Sequence, residues 1–201
     1  GSAVAQDRLP PDNSDDPGAI KKSDFEFPPA NNHSPSSKET EMNGLPTIVN
    51  GNFEQGRFVG WGESSSFGYP LVTALGFAHS GSWLAWLGGD NNEASILSQS
   101  NITIANPTYL RLWYWIYSTD ACSFDHGYVM VNGNVHHTWI LCSSNNTNSW
   151  IPLDINLSAY SGQTVTLSIE AYTDGSLFSN LFIDNVVLYK TFADVAYTGF
   201  G

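Results

Sequence analysis

The chain has 201 residues and a formal net charge of −12, from 19 acidic and 7 basic residues. From Pro46 onward the only basic residues are Arg57, Arg111 and Lys190, so no basic stripe can neutralise nucleic-acid phosphates or anionic lipid. No apolar run approaches the roughly 18 residues that a membrane span needs. We therefore expect no nucleic-acid partner and no membrane span, and calcium or a neutral polymer fits this charge better.

The composition is typical of a secreted β-protein. Apolar residues make up 41% of the chain and aromatic residues 13%, which is enough for a core of normal density. Charged residues make up only 13%, about half of the usual ~25%, and Asn, Ser, Thr and Gly take their place. The runs of Ala, Leu, Glu and Lys that favour helices are absent. The length predicts one ordinary domain with a tail.

Residues 1–45 have the composition of a disordered leader or linker. They hold eight acids, four bases, most of the prolines and few large apolar groups. Such a segment buries too little surface to offset its ordering entropy. Its one apolar stretch is "DFEFPP" at 24–29. One interpretation is that the whole segment is an unstructured tail. The alternative is that this stretch adds a strand to the sheet edge of a neighbouring molecule.

From residue 46 to residue 192, short apolar runs alternate with Gly, Asn and Ser. This pattern predicts nine strands, at 47–54, 69–75, 82–88, 94–99, 109–118, 127–131, 135–141, 164–172 and 181–190. About nine strands without a convincing helix indicate an all-β fold, an antiparallel β-sandwich with jelly-roll topology. Residues 193–201 are then a C-terminal tail.

The two cysteines, Cys122 and Cys142, flank a predicted hairpin. Asn132 and Gly133 form a strong turn signal between alternating apolar runs. Counting outward from that turn places residue 142 opposite 123 or 124, so one bulge brings the two sulfurs into bonding range. A disulfide indicates an extracellular or cell-surface location. The alternative is two buried free thiols.

The strand "LRLWYWIYS" at 110–118 carries large apolar side chains on both faces. One face also bears an arginine, and it comprises Arg111, Trp113, Trp115 and Tyr117. Either the strand is central and covered on both sides, or this face lines an open sheet. In the second case the indoles stack on sugar rings and the guanidinium binds hydroxyls. These four residues are the predicted ligand-binding residues.

The order of the motifs "NGNFEQGRFVGW", "HSGSWLAW", "YLRLWYWIYS" and "NLFIDNVVL" resembles the galactose-binding-like jelly-roll modules of secreted proteins. Two branches are similar, namely calcium-containing carbohydrate-binding modules and MAM-like adhesion domains. The resemblance implies a structural Ca²⁺ bound by Glu54 and Asp184, with carbonyls from the loop His79 to Ser82. Position 185 is Asn, where many of these modules have a second Asp. The alternative is that Glu54 and Asp184 are ordinary edge carboxylates.

Motifs of catalysis are absent from the sequence, and we expect no enzyme. There is no nucleophile elbow, zinc-binding helix or phosphate loop, and His136 and His137 point to opposite faces of one strand. A carboxylate pair among the 11 acids after Pro46 stays open. Two acidic loops, around Asp90 and around Asp120 and Asp125, resemble parts of a cation loop or are polar turns.

The function predicted from the sequence is a non-catalytic, secreted carbohydrate-binding module with structural calcium. Its partner is a polysaccharide or other glycan. The alternative is a structural or adhesive extracellular protein that binds copies of itself or other extracellular proteins through the jelly roll and its leader.

Overall fold

A computed structural model of the chain describes residues 20–28, 48–105 and 108–190. They form ten strands: β1 (Gly62–Ser65), β2 (Val72–Ala74), β3 (Trp83–Gly88), β4 (Ala94–Thr103), β5 (Tyr109–Ser118), β6 (Asp125–Val131), β7 (Asn134–Leu141), β8 (Ile151–Asn156), β9 (Thr164–Tyr172) and β10 (Ser179–Tyr189). Three single-turn 3-10 helices, Lys22–Asp24, Ser143–Asn145 and Ser158–Tyr160, are the helical elements in these ranges. Within them, no helix is long and apolar enough to cross a membrane.

The strands form two five-stranded antiparallel sheets. The first sheet has the order β1-β4-β9-β6-β7, and the second has the order β2-β3-β10-β5-β8. Their facing sides enclose one large apolar core, to which β9 contributes Val165, Leu167, Ile169 and Ala171. The predicted all-β antiparallel sandwich is therefore confirmed.

One predicted strand is wrong and two strands were missed. The strand predicted at 47–54 is not formed in its described part, residues 48–54, which consist mostly of turns because Asn50 and Phe53 have positive φ angles of 52° and 61°. The missed strands β1 and β8 lie at the edges of the two sheets. Edge strands bury little apolar surface, so their apolar pattern is weak. In β8, Pro152 also lacks the backbone N–H that a strand in the interior of a sheet would need.

The predicted hairpin and disulfide are both present. Asn132 and Gly133 turn the chain between β6 and β7 with φ angles of 50° and 77°. The register of this pair shifts between Val129 and Met130 and sets Asp125 opposite Leu141. Cys122 therefore reaches Cys142 through the turn at 122–124, where Ser123 has a φ of 84°, and not through this shift. Cys122 and Cys142 are bonded, with their Cα atoms 4.8 Å apart. The alternative of two free thiols is excluded.

A second apolar cluster lies on the outer side of the second sheet. Its buried members are Ile20, Leu75, Leu84, Trp86 and Phe182. Residues 20–28, here called the docked segment, add Ile20, Phe25 and Phe27 to it. The ring of Phe25 meets that of Trp86 edge-on at 5.5 Å. These nine residues thus pack on the sandwich, whereas the sequence predicted an unstructured leader; residues 1–19 and 29–45 lie outside the described ranges.

Candidate functional site

The four predicted ligand-binding residues of β5 all face outward from the second sheet. Arg111, Trp113, Trp115 and Tyr117 are each half-buried, and they alternate with the buried Leu110, Leu112 and Ile116. The strand thus has the two faces that its sequence predicted. Whether this outer face is free to bind a ligand depends on what packs over it.

Three of the four side chains are already engaged within the chain. The Trp113 ring stacks on the His79 ring with 4.0 Å between centroids. Arg111 donates from Nε and from one terminal nitrogen to the two carboxylate oxygens of Asp154, at 2.7 and 2.6 Å. This pair raises the pKa of Arg111 and lowers the pKa of Asp154.

Trp115 belongs to the second apolar cluster. Its ring meets Phe77 and Trp150 edge-on, each at 6.0 Å. Trp150 is held in place because its Nε1 donates to the Phe77 carbonyl at 2.9 Å. Together with the docked segment, these side chains cover much of the outer side of the second sheet. The role of the β5 residues in ligand binding remains a prediction, and their geometry makes them packing residues as well.

Residues 49–56, with the sequence "VNGNFEQG", form a compact turn that places the Glu54 side chain against the loop before β3. The Asn50 side chain binds the chain on both sides of the turn, donating to the Gly56 and Val59 carbonyls and accepting from the Gln55 amide. Glu54 Oε1 then accepts the amides of Ser82 and Trp83 at 2.8 and 2.7 Å.

Asp184 of β10 reaches the same loop from the other side. Its Oδ2 accepts the Ser80 amide at 3.0 Å, and its Oδ1 accepts the Asn185 amide at 2.6 Å. Burial raises the pKa of Asp184 to about 7, and repulsion from Glu54 adds to this rise. The Glu54 carboxylate is thus close enough to disfavour the charged form of Asp184.

The residues of this loop suit a calcium ion. A Cβ at Gly81, which has a φ of 64°, would overlap the Glu54 carboxylate, so only glycine lets the loop close around it. Glu54 Oε2 and Asn185 Oδ1 add oxygens of the kind that calcium prefers. The Ser82 carbonyl instead accepts the Leu75 amide, and His79 Nδ1 contacts the Asn185 amide nitrogen. Calcium binding here is not tested by the structure and remains a prediction.

The first acidic loop that resembled a cation site has another role. Asp90 forms an ion pair with Lys21 at 3.0 Å and accepts the Tyr69 hydroxyl at 2.8 Å. Glu93 accepts hydrogen bonds from Ser66 and Ser95. These carboxylates therefore anchor the docked segment and the ends of β3 and β4.

The outer side of the first sheet carries a polar aromatic surface that the sequence did not single out. We call it the tyrosine face; its members are His126, Tyr128, Ser168, Glu170 and Tyr172. Tyr128 pairs with Glu170, and His126 pairs with Tyr172, so β6 and β9 place these side chains next to one another. Tyr172 is 38% exposed, and the other four are half-buried.

Hydrogen bonds and ring contacts fix the tyrosine face. Glu170 accepts the Ser168 hydroxyl at 2.7 Å and the Tyr172 hydroxyl at 2.6 Å. The Tyr128 ring lies 6.1 Å from the Tyr172 ring and parallel, within 9°, to the His126 ring. Burial, together with the Glu170 contact, raises the pKa of Tyr172 to about 12, so its phenol stays protonated. Ser168 and Glu170 alternate with apolar residues in "VTLSIEAY", which indicates that they face outward, but this pattern does not reveal their neighbours on β6.

Comparison with known proteins identifies the fold. No protein-family model matches the chain, and no curated protein matches its sequence. TmCBM61, solved in complex with β-1,4-galactotriose, is 17% identical with a TM-score of 0.52, covering 71% of this chain and 96% of its own. The K3 cleaved adhesin domain of Lys-gingipain from Porphyromonas gingivalis W83 is 14% identical with a TM-score of 0.52, covering 72% and 99%. The chain thus has the fold of the galactose-binding-like jelly-roll modules, as its motifs implied.

Proposed function

We propose that the protein is a non-catalytic, extracellular carbohydrate-binding module and that the tyrosine face is its ligand surface. The observation that carries this proposal is the exposed Tyr172 ring beside Tyr128 and Glu170 on the outer side of the first sheet. Aromatic rings offer flat apolar surfaces to the C–H faces of sugars. A carboxylate and neighbouring hydroxyls offer hydrogen-bonding partners for sugar hydroxyl groups.

The dimensions and charge of the sheet favour a neutral chain polymer. One row across the five strands comprises Ser64, Ile96, Glu170, Tyr128 and Thr138. With about 4.8 Å between strands, such a row extends over roughly 19 Å, which suits several linked sugar rings. The net charge of −12 disfavours an acidic polysaccharide. The disulfide supports an oxidising, extracellular compartment.

The proposal includes structural calcium at Glu54 and Asp184. The ion would join the turn at 49–56, the loop before β3 and strand β10, and so brace one end of the sandwich. Bound sugar in TmCBM61 makes β-1,4-galactan the first polysaccharide to test.

Affinity gel electrophoresis in calcium buffer tests this function. Soluble galactan and a panel of neutral polysaccharides are cast into the gels, and the Tyr172→Ala and Tyr128→Ala variants are compared with the native chain. We expect retardation of the native chain and its loss in both variants. Phe67→Ala, which removes a ring that is 55% exposed in the β1–β2 connection, is the matched control and keeps the retardation. Retention of binding by both tyrosine variants refutes the ligand surface.

A second candidate function is self-association of an adhesive protein. It is favoured by the docked segment, because Phe25 and Phe27 pack on Trp86 through side chains that another copy could supply in the same way. Sedimentation at increasing concentration tests it. Dimers that disappear in the Phe25→Ala, Phe27→Ala double variant support exchange between copies, whereas a monomer at all concentrations contradicts it.

A further inference from the structure

Three aspartates, two of them near the start of β6 and the third some 50 residues further along the chain, meet beyond the ends of β5 and β9. Asp120 lies in the β5–β6 connection, Asp125 begins β6, and Asp174 lies in the β9–β10 connection. One carboxylate oxygen from each of them lies within 4.8 Å of those from the other two. We call this group the aspartate cluster. It is separate from the Glu54 and Asp184 loop and from the tyrosine face.

Two members of the cluster are buried with an oxygen that has no partner. Asp120 is 3% exposed and Asp125 is 0% exposed. The Oδ2 atoms of both are buried and have no hydrogen-bond partner among the described residues. The Ser179 hydroxyl lies beside Asp125 but donates to the Ser118 hydroxyl at 2.7 Å. The three ion pairs formed within the described ranges do not include the cluster. A buried carboxylate oxygen without a donor or counter-charge is costly, and repulsion among three carboxylates adds to the cost.

The remaining oxygens are held in fixed orientations. Asp120 Oδ1 accepts the Ala121 amide at 2.6 Å, and Asp125 Oδ1 accepts the Asp174 amide at 2.7 Å. Asp174 Oδ1 accepts the Ser176 amide at 2.8 Å. Each carboxylate is therefore oriented through one oxygen by the backbone, and the unpartnered Oδ2 atoms of Asp120 and Asp125 are left to a ligand.

The disulfide fixes the loop that carries Asp120. Cys122 is tied to Cys142 at the end of β7, and the Ser143 amide donates to the Asp120 carbonyl at 2.9 Å. The arrangement is thus imposed by covalent and backbone bonds. The disulfide therefore ties the loop that carries Asp120 to the end of β7.

We propose that the aspartate cluster binds a divalent cation, with calcium as its ion. The donors in the cluster are all carboxylate oxygens, which select hard cations over zinc or copper. Two oxygens on opposite sides of a calcium ion are about 4.8 Å apart at the usual ~2.4 Å bond length, so one ion can contact all three aspartates. Backbone carbonyls and water complete the six to eight ligands that calcium takes.

This ion is distinct from the one proposed at Glu54 and Asp184. Ser179, whose hydroxyl lies beside Asp125, precedes Asp184 by five residues on β10. Five residues of extended strand cover roughly 17 Å, so the two sites hold separate ions. The full chain is then expected to bind two calcium ions.

Calcium stoichiometry by equilibrium dialysis of the full chain tests the proposal. We expect two ions on the native chain, one on Asp125→Asn and one on Asp184→Asn, and none on the double variant. Glu26→Gln, at an exposed position of the docked segment, is the matched control and keeps both ions. If only Asp184→Asn loses an ion, the calcium site at Glu54 and Asp184 is supported and the aspartate cluster is refuted as a site. If only Asp125→Asn loses an ion, the aspartate cluster is supported and the site at Glu54 and Asp184 is refuted.

Thermal unfolding keeps the test decisive if a variant folds poorly. In chelator, Asp125→Asn removes repulsion within the cluster and is expected to melt above the native chain. In millimolar calcium the order reverses, because the native chain binds the ion. The half-buried Asp174→Asn is the second variant and should show the same reversal. An unchanged order of melting temperatures in the two buffers overturns the proposal.

Discussion

Gly51 and Val186 are in direct backbone contact. The Val186 amide donates to the Gly51 carbonyl at 2.8 Å, and a Cβ at Gly51 would overlap the Val186 carbonyl oxygen. The turn that carries Glu54 is therefore fastened to the strand that carries Asp184, through two residues that are 135 positions apart in the chain. The contact explains why glycine follows Asn50, because no larger residue lets the two backbones approach so closely.

Substitution of this glycine should loosen one end of the sandwich. We expect Gly51→Ala to lower the free energy of unfolding by about 1–3 kcal/mol, the usual cost of overpacking a close contact. Urea unfolding followed by tryptophan fluorescence measures it. Gly175→Ala is the control, since a Cβ there meets only ordinary contacts with Asn92. Equal unfolding midpoints for the two variants would contradict the close approach.

Calcium removal should destabilise the protein through Glu54 and Asp184. An ion bound only by the folded state adds about 2.7 kcal/mol when its concentration is 100 times its Kd. We expect chelator to lower the melting temperature of the native chain. Gly81→Ala should weaken the effect, because the added methyl group displaces the Glu54 carboxylate. Identical melting curves with chelator and with millimolar calcium would rule out the structural ion.

The docked segment should pack more stably on the sandwich as the pH rises above 7. Lys22 is fully buried, donates to the Trp86 carbonyl at 2.7 Å, and burial lowers its pKa from 10.5 to about 7, although Glu93, Glu63 and Asp90 oppose this. The unfolded chain binds more protons than the folded chain between pH 7 and 10.5, so this group's contribution to stability grows across that window and is lost as the pH falls to 7.

Unfolding measured at pH 7 and pH 9 in calcium buffer tests this dependence. We expect the native chain to be more stable at pH 9 and the Lys22→Met variant to show a smaller difference between the two pH values. Lys21→Met is the neighbouring control, because Lys21 lies in an ion pair at the surface with Asp90. A full pH effect in the Lys22 variant would assign the dependence to other groups.

The aromatic residues of β5 and those of the tyrosine face should respond differently to substitution. Trp113→Ala loses the stack on His79, and we expect it to lower the melting temperature by several degrees while polysaccharide binding persists. Tyr172→Ala, with its exposed ring, should leave the melting temperature nearly unchanged and abolish binding. The reverse outcome would place the ligand on β5, as the sequence predicted.

Reduction of the disulfide should affect both stability and the aspartate cluster. The bond joins residues separated by 20 positions, for which loop closure predicts about 3 kcal/mol. We expect the Cys122→Ser, Cys142→Ser double variant to unfold at lower urea concentration and to bind calcium more weakly at the cluster. Unchanged binding of both ions would mean that the bond does not position Asp120.

Prediction from the sequence succeeded where the signal is local. The Asn132-Gly133 turn and the alternation on both sides of it predicted that β6 pairs with β7 and that Cys122 lies within reach of Cys142. It failed at "VNGNFEQG", where positive φ angles at Asn50 and Phe53 replace an expected strand. Asn50 precedes Gly51, so the motif holds the same turn signal as Asn132-Gly133. The positive φ of Phe53 has no such signal, because the surrounding contacts impose it.

For the candidate sites, too, the sequence predicted the local features and missed those that depend on tertiary contacts. Alternation along β5 and β9 determined which side chains face outward, since successive residues of a strand point to opposite sides. The docked segment and Trp150 cover the outer face of the second sheet, and their contacts join residues that are far apart in the chain. The meeting of Asp120 and Asp125 with Asp174 was likewise set by strand order. Sequence by itself thus determined the fold class, the turn and the disulfide, whereas tertiary pairing alone decided which polar groups became neighbours.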